Sequence, residues 1–155
     1  MGGYFEGIGG RRGPKGTRFY VPMPMYHGTA AHAVMMCLCC AATLCIGKKF
    51  SASRFWPEVR ASRATGFVYV GETARYLLAA PESAQDKNNE IEFAWGNGMR
   101  PDVWLKFQRR FGIEIISEFF NSSEGIFGMV NYSCRGKSRT QSTYSVPVQL
   151  ILIVR

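Results

Sequence analysis

The chain has 155 residues, of which 46% are hydrophobic and 19% are charged, and its formal net charge at pH 7 is +8. This length and apolar content allow one domain with a buried core and exclude an intrinsically disordered chain. The basic excess lies at the two ends of the sequence, and no predicted helix or strand carries a basic stripe with interleaved aromatic residues. A nucleic-acid-binding protein is therefore only a minor alternative, and no nucleic acid is predicted as a partner.

The first part of the chain differs from the rest in composition. Residues 1–15 are rich in glycine and carry basic residues, which predicts a flexible leader without the apolar segment of a secretory signal. Four of the five cysteines are crowded between Cys37 and Cys45. Because this spacing lacks the separated pairs of a zinc site, it predicts reduced thiols buried in an apolar segment.

Taken in chain order, the hydrophobic periodicity and the turn residues predict alternating strands and helices. Strands are predicted at 18–23, 43–46, 65–70, 91–95, 113–119 and 126–131, and helices at 30–41, after Ser51 or Ser53, at 73–80 and at 101–111. Residues 29–46 form an apolar stretch that approaches the length of a membrane span. Because the stretch is slightly short and contains His32, it predicts a buried helix followed by a short strand.

The best-marked unit covers residues 91–125, which predict a strand, a glycine turn, a helix, a second strand and a polar loop. Pro101 suits the first position of the helix, and Gly112 suits its end. A strand–helix–strand unit of this length predicts two parallel strands, whose following loops open at one edge of the sheet. Because ligands bind at that edge in such sheets, the glycine turn and the polar loop are predicted to face one cleft.

Two motifs in this unit carry a family resemblance. Gly96-Asn97-Gly98-Met99-Arg100-Pro101-Asp102-Val103-Trp104 is followed by Glu118-Phe119-Phe120-Asn121-Ser122-Ser123-Glu124-Gly125. In this order the motifs resemble the AMP-binding, adenylate-forming enzymes, and within them the fatty acid transport protein/very-long-chain acyl-CoA synthetase branch in a fungal-like form. The resemblance covers about residues 13–135 and implies an α/β fold with a mostly parallel sheet flanked by helices. It divides the chain into a leader (1–15), a partial adenylation domain (16–136) and a divergent tail (137–155), an incomplete slice of the family's N-terminal domain.

The resemblance also implies a reaction, in which a long- or very-long-chain fatty acid is activated. The fatty acid carboxylate attacks ATP to give an acyl-adenylate, and coenzyme A as co-substrate then displaces AMP to form a thioester. Mg²⁺ is the implied cofactor, with Glu124 as its ligand, and Ser123 and Glu124 are the implied catalytic residues. The implied nucleotide-binding residues are Gly96, Asn97, Gly98, Phe120, Asn121 and Ser122, and the implied acyl-pocket residues are Tyr26, His27, Val70 and Gly71.

The sequence departs from the family pattern at several points. Family members commonly have glycine where Asn121 stands and threonine where Ser123 stands. The family's phosphate-binding loop has no counterpart before Arg18, and its ribose-binding aspartate and C-terminal catalytic lysine have none after residue 125. A phosphate site without that loop loses much of its electrostatic stabilisation, so we expect the 155-residue chain to be inactive by itself.

Two functions follow from the resemblance. The first is a truncated fatty acid–CoA ligase linked to fatty acid transport, and the alternative is a non-catalytic module that binds acyl chains or a partner protein. The resemblance implies membrane association inside the cell, at the endoplasmic reticulum, peroxisome, lipid droplet or plasma membrane. The sequence does not predict an oligomeric state.

Overall fold

The structure is a computed structural model that describes residues 12, 16–120, 127–134 and 146–147. Within these residues, strands and helices alternate along the chain as the sequence predicts. The strands are β1 (Arg18–Val21), β2 (Thr43–Ile46), β3 (Gly66–Val70), β4 (Phe93–Asn97), β5 (Ile115–Phe120), β6 (Phe127–Cys134) and β7 (Val146–Pro147). The helices are α1 (Gly28–Cys40), α2 (Ala52–Ala61), α3 (Gly71–Ala79) and α4 (Pro101–Phe111).

The strands form one sheet in the order β2-β1-β3-β4-β5-β6-β7. The first five strands of this order are parallel, whereas β6 runs antiparallel to β5 and β7 runs antiparallel to β6. Helices connect the parallel strands, which is the arrangement that a parallel sheet requires. The predicted α/β class with a mostly parallel sheet flanked by helices is therefore confirmed.

Two hydrophobic cores lie on opposite faces of the sheet. Helices α2, α3 and α4 bury an aromatic cluster against one face, where Phe55, Phe67 and Phe107 are almost inaccessible to solvent. Helix α1 covers part of the other face, where Phe19 and Trp95 are fully buried. A fully buried side chain of this size contributes about 2–3 kcal/mol of hydrophobic stabilisation, so these two clusters dominate the packing.

Residues 29–46 divide into a helix and a strand, as predicted. Helix α1 has 13 residues and ends at Ala41, whose φ of 55° lies in the left-handed region that caps helices, and β2 follows at Thr43. In the part of the chain that the structure describes, no helix has both the length and the apolar character that a membrane span needs.

The junctions after β3 and β4 differ from the prediction. Strand β4 runs to Asn97, so Gly96 and Asn97 are strand residues and the turn is centred on Gly98, whose φ is 79°. The strand is longer because Tyr69 and Val70 of β3 pair with Gly96 and Asn97. Helix α3 begins at Gly71, directly after the last residue of β3, and not at residue 73.

Helix α4 has the bounds that its terminal residues predict. Pro101 is its first residue, and Gly112 follows its end with a φ of 71° and donates its amide to the Gln108 carbonyl at 2.9 Å. The last turn holds the preceding loop through Arg110, whose guanidinium donates to Asp86 Oδ2 at 2.7 Å and to the carbonyl of Leu78 at 2.7 Å. The predicted strand at 126–131 is confirmed as β6, and residues 1–11 and 148–155 lie outside the described part of the chain.

Candidate functional site

The carboxyl ends of β3, β4 and β5 lie next to each other at one edge of the sheet. Helix α3 begins directly after β3, and α4 begins four residues after the end of β4. The amino-terminal ends of both helices, which carry unpaired amides and partial positive charge, therefore lie at this edge. Such an edge favours an anionic ligand, and it is the place where open parallel sheets bind ligands.

A row of three residues crosses these strands. Tyr69 of β3 pairs with Gly96 of β4, and Gly96 pairs with Glu118 of β5. The hydroxyl of Tyr69 donates to Glu118 Oε1 at 2.9 Å, and the backbone amide of Met99 donates to the same oxygen at 2.5 Å. The Gly98 amide also donates to this carboxylate. One half-buried carboxylate thus connects β3, β5 and the turn between β4 and α4.

The electrostatics of this row follow from burial. Burial raises the pKa of Glu118 above its usual value, although the amides and the Tyr69 hydroxyl act in the opposite direction. Burial, together with the adjacent Glu118, raises the pKa of Tyr69 well above its usual value, so Tyr69 remains a neutral donor. Sequence reasoning placed Tyr69 in a segment that resembles the family's acyl-pocket lining and Glu118 at the start of the second motif, but it did not predict that the two side chains are in contact. The available signal was a carboxylate within the buried apolar run that forms β5.

The glycines at this edge allow two strand–helix junctions to pack closely. A Cβ added at Gly71 would overlap the carbonyl oxygen of Gly98, and one added at Gly96 would overlap the carbonyl oxygen of Tyr69. Position 98 requires glycine for a different reason, because its φ in the turn is positive. The structure therefore brings Gly71, predicted for the acyl pocket, against Gly98, predicted for the nucleotide.

The opposite face of the sheet carries an aromatic cluster near the same edge. The ring of Trp95 stacks on Phe119 with 4.2 Å between centroids, and His32 of α1 contacts Trp95 edge-on at 5.2 Å. Burial lowers the pKa of His32 below its usual value. Asn97, a predicted nucleotide residue, lies two residues after Trp95 on the same strand, and its buried Oδ1 has no hydrogen-bond partner among the described residues.

The predicted acyl-pocket residues on the α1 side lie at the start of that helix or at the end of β3. His27 caps α1, because its Nδ1 accepts a hydrogen bond from the Thr29 amide at 3.2 Å. Tyr26 is 91% exposed, and Val70 is half-buried. The capping contact accounts for His27 structurally, and its role in an acyl channel stays a prediction.

The rest of the predicted site falls at or beyond the end of β5. Phe120 is the last residue of that strand, and Asn121, Ser122, Ser123 and Glu124 lie outside the described residues, so their roles stay predictions. In the described part of the chain, no three potential metal ligands of the His, Cys, Asp or Glu type cluster together. The predicted Mg²⁺ ligand, Glu124, lies outside the described residues, so the metal site stays a prediction.

The cysteines only partly match their prediction. Cys37 is buried as a free thiol, and burial raises its pKa to about 12, so it is unreactive at neutral pH. Cys39 is also a free thiol but is exposed, because it lies on the side of α1 that faces away from the sheet. Burial of the whole group was thus a wrong prediction.

Comparison with known families and proteins agrees with this geometry. Residues 4–154 match the model of the family described as AMP-binding enzyme. The chain is 47% identical over 120 residues to the very long-chain fatty acid transport protein of Cochliobolus heterostrophus, and the matched segment covers 74% of this chain and 18% of the relative. It is 44% identical over 128 residues to the medium/long-chain-fatty-acid–CoA ligase FadD6 of Mycobacterium tuberculosis, covering 82% of this chain and 21% of the relative.

A third relative has a name that indicates a different function. The chain is 44% identical over 125 residues to isopenicillin N epimerase component 1 of Hapsidospora chrysogena, covering 81% of this chain and 20% of that protein. The chain thus spans about a fifth of the length of the relatives that it matches.

Solved structures show the same fold at lower sequence identity. The N-terminal domain of FACL13 from Mycobacterium tuberculosis superposes with a TM-score of 0.66 at 21% identity, over 76% of this chain and 30% of that one. O-succinylbenzoate coenzyme A synthetase from Bacillus subtilis, in complex with ATP and magnesium, superposes with a TM-score of 0.59 at 17% identity, over 73% of this chain and 24% of that one.

Proposed function

We propose, since this chain belongs to the AMP-binding enzyme family, that it forms the part of a fatty acid–CoA ligase in which the nucleotide and the acyl group meet. The substrate class is a long- or very-long-chain fatty acid, and ATP and coenzyme A are the co-substrates. The names of relatives at 44–47% identity, a fatty acid transport protein and a fatty-acid–CoA ligase, support this choice.

The observation that carries the proposal is the shared edge of β3, β4 and β5. Two helix amino termini lie at this edge, and the Glu118 network connects it to the turn at Gly98. Partial positive charge at helix ends suits the phosphates of a nucleotide, and positive φ at Gly98 matches the close turn that the motif predicts. The residues present therefore fit an anionic nucleotide at this edge.

The proposed reaction proceeds in two displacements. A carboxylate oxygen of the fatty acid attacks the α-phosphorus of ATP, the bond to pyrophosphate breaks, and an acyl-adenylate forms. The thiol sulfur of coenzyme A then attacks the acyl carbon, loses its proton, and releases AMP as the thioester forms.

The first displacement brings the negatively charged carboxylate to the negatively charged ATP, so this chain's residues must offset the repulsion between them. Glu124 would hold Mg²⁺, which neutralises phosphate charge when bound. Ser122 and Ser123 would donate hydrogen bonds to phosphate or acyl oxygens, while Phe120 would stack on the adenine. Phe119 and Val70, which are partly exposed beside the buried Trp95 on the α1 side, would contact the acyl chain.

A binding experiment on the purified chain tests this proposal. We expect saturable binding of AMP and of ATP with Mg²⁺, with no acyl-CoA formation, because much of the phosphate site of the family has no counterpart in the sequence. Glu124→Ala should weaken the binding of ATP with Mg²⁺ about tenfold or more. Glu82→Ala is the matched control, since Glu82 is exposed and lies in the loop beyond the carboxyl end of α3.

The same assay separates the proposal from the alternative. A folded chain that binds neither nucleotide at millimolar concentration, but binds fatty acid, would support a non-catalytic acyl-binding module and overturn the proposal. Acyl-CoA formation that depends on Glu124 would contradict the expected inactivity of the chain alone.

Membrane association is a further part of the proposal. It rests on relatives named as fatty acid transport proteins, and the compartment within the cell stays open among the four predicted ones. Flotation of the purified chain with phospholipid vesicles measures it. A chain that stays at the bottom of the gradient at every lipid composition would contradict it.

A further inference from the structure

The contact between Tyr69 and Glu118 is possible because Gly96, which lies between them in the row, has no side chain. A Cβ placed on Gly96 would lie 2.8 Å from Cγ of Tyr69, so the Tyr69 ring lies over Gly96. This allows the ring to cross β4 and reach β5, where its hydroxyl donates to Glu118 Oε1 at 2.9 Å. Any larger residue at position 96 would displace the ring from this path.

Glu118 in turn holds the turn between β4 and α4. The Met99 amide lies 2.5 Å from Glu118 Oε1, and the Gly98 amide also donates to the carboxylate. Half-burial of a carboxylate is unfavourable unless hydrogen bonds compensate for lost hydration, and here two amides and one hydroxyl supply them. Glu118 also lies two residues before Phe120, at the entrance to the segment that carries the predicted ATP-binding residues.

We infer that Tyr69 and Glu118 are a pair of positioning residues, which fix the turn at Gly98 and Met99 relative to the end of β5 for nucleotide binding. Neither the family match nor the predicted site residues assign this role. The purpose of the positioning rests on the proposed function, whereas the holding of the turn rests on the contacts alone.

The alternative explanation is that the pair only stabilises the sheet. A matched pair in the same chain distinguishes the two, because the hydroxyl of Tyr20 donates to Glu58 Oε2 at 2.5 Å between β1 and α2. Tyr20→Phe removes the same kind of hydrogen bond without touching the turn. Tyr69→Phe acts on the turn only through Glu118, and Glu118→Gln removes the charge while keeping the shape.

The first measurement is the amide spectrum of the ¹⁵N-labelled chain over a pH series. In the wild type, the Met99 and Gly98 amide signals should follow the protonation of Glu118, with a midpoint above the usual value of 4.5 because burial raises its pKa. In Glu118→Gln this titration should vanish, and the Met99 amide should exchange with solvent about tenfold faster, since a charge-assisted hydrogen bond is about twice as strong as a neutral one. Tyr69→Phe should shift the midpoint, and Tyr20→Phe should leave it unchanged.

The second measurement is AMP binding by the same four proteins. We expect Tyr69→Phe and Glu118→Gln to weaken binding by several-fold to about tenfold, and Tyr20→Phe to bind as the wild type does. Unchanged amides of α1, such as that of the buried Ala33, show that each variant is folded. A Met99 amide that is insensitive to Glu118→Gln overturns the inference.

Equal AMP binding by wild type and Tyr69→Phe would also overturn it, because the turn would then not be held for the nucleotide. If the wild type does not bind AMP, the proposed function fails. The amide signals then still decide whether the pair holds the turn.

Discussion

At the scale of single residues, Gly71 shows how little space separates α3 from the turn after β4. Alanine at this position would place a Cβ onto the carbonyl oxygen of Gly98, and backbone on both sides limits the possible relief. We expect Gly71→Ala to lower the free energy of unfolding by about 1–3 kcal/mol, measured by urea denaturation. Gly28→Ala is the control, because it is also the first residue of a helix and its added Cβ meets nothing within 4 Å. Equal stability of the two variants would contradict the close packing.

His32 makes the stability of the chain depend on pH. Burial lowers its pKa below the usual 6.5, so the unfolded chain takes up the proton at a higher pH than the folded chain. Its contribution to stability is therefore complete above pH 6.5 and is lost as the pH falls through that value towards the folded-state pKa. We expect His32→Phe, which keeps an aromatic contact with Trp95 and Phe119, to remove this loss. The measurement is the difference in unfolding free energy between wild type and variant across this range, and a constant difference would contradict the assignment.

Sequence reasoning predicted the glycines at this edge of the sheet but not the hydrogen-bond network around them. Gly96 and Gly98 belong to a short motif that is easily recognised in the sequence. Gly98 has the positive φ that is typical of a turn glycine. The contact between Tyr69 and Glu118 depends on three strands lying side by side in one register, 49 residues apart in sequence. Local patterns carry no information on such a register, so this network became visible only in the structure.

At the scale of elements, α4 holds the loop that precedes β4 through one side chain. Arg110 pairs with Asp86, with side chains only 11% and 12% exposed, and it also donates to two carbonyls of residues 78–81. We expect Arg110→Ala to destabilise the chain by about 3 kcal/mol, since it leaves the Asp86 carboxylate without its charged partner and two carbonyls without this donor.

The control for this helix is an exposed ion pair on its neighbour. Arg75→Ala on α3 breaks the pair with Glu72, whose side chains are 55% and 60% exposed, and should cost less than about 0.5 kcal/mol. Thermal or urea denaturation of the two variants checks both values. A loss at Arg75 as large as that at Arg110 would contradict the importance of burial.

The element boundaries show which signals in the sequence are strong. The bounds of α4 were correct because Pro101 and Gly112 mark its ends through backbone conformation. The prediction for β4 was two residues too early, since the strand continues through Gly96 and Asn97 to complete its ladder with β3. Glycine favours a turn locally, and here pairing with a neighbouring strand overrides that preference.

At the scale of the whole molecule, an apolar surface extends over α1 and the adjacent edge strand. Met35 and Leu38 are 57% and 70% exposed on α1, and Ile46 at the end of β2 is 61% exposed. Among the described strands, β2 lies at one edge of the sheet and pairs only with β1. An edge strand is a place where another chain can pair. We expect the purified chain to self-associate at micromolar concentration.

Leu38→Glu should shift this self-association towards the monomer, measured by sedimentation velocity. Leu105→Glu on α4 is the control, because that side chain is 44% exposed and lies on another helix. An equal effect of both substitutions would show that net charge, and not this surface, controls association.

The fold class could be predicted as a whole because alternating strands and helices of these lengths leave few arrangements other than a parallel sheet. The candidate site could be predicted only in part. Its glycine turn and strand ends are in the described residues, but the hydrogen bonds of Glu118 were not predicted; the roles of the polar segment 121–124, outside the described residues, stay predictions. The chain also spans about a fifth of the length of its relatives, so the activity of the whole protein is tested best in their context.

We propose that this chain carries a functional part of an adenylation site. The most direct measurement is ATP-dependent acyl-CoA formation by a chimera, in which residues of this chain replace the matching 120 residues of the very long-chain fatty acid transport protein of Cochliobolus heterostrophus. We expect thioester formation that falls about a hundredfold or more in Glu124→Ala and is unchanged in Glu82→Ala. A chimera that folds like its parent but forms no acyl-CoA, even after Asn121→Gly and Ser123→Thr restore the common family residues, would contradict the claim.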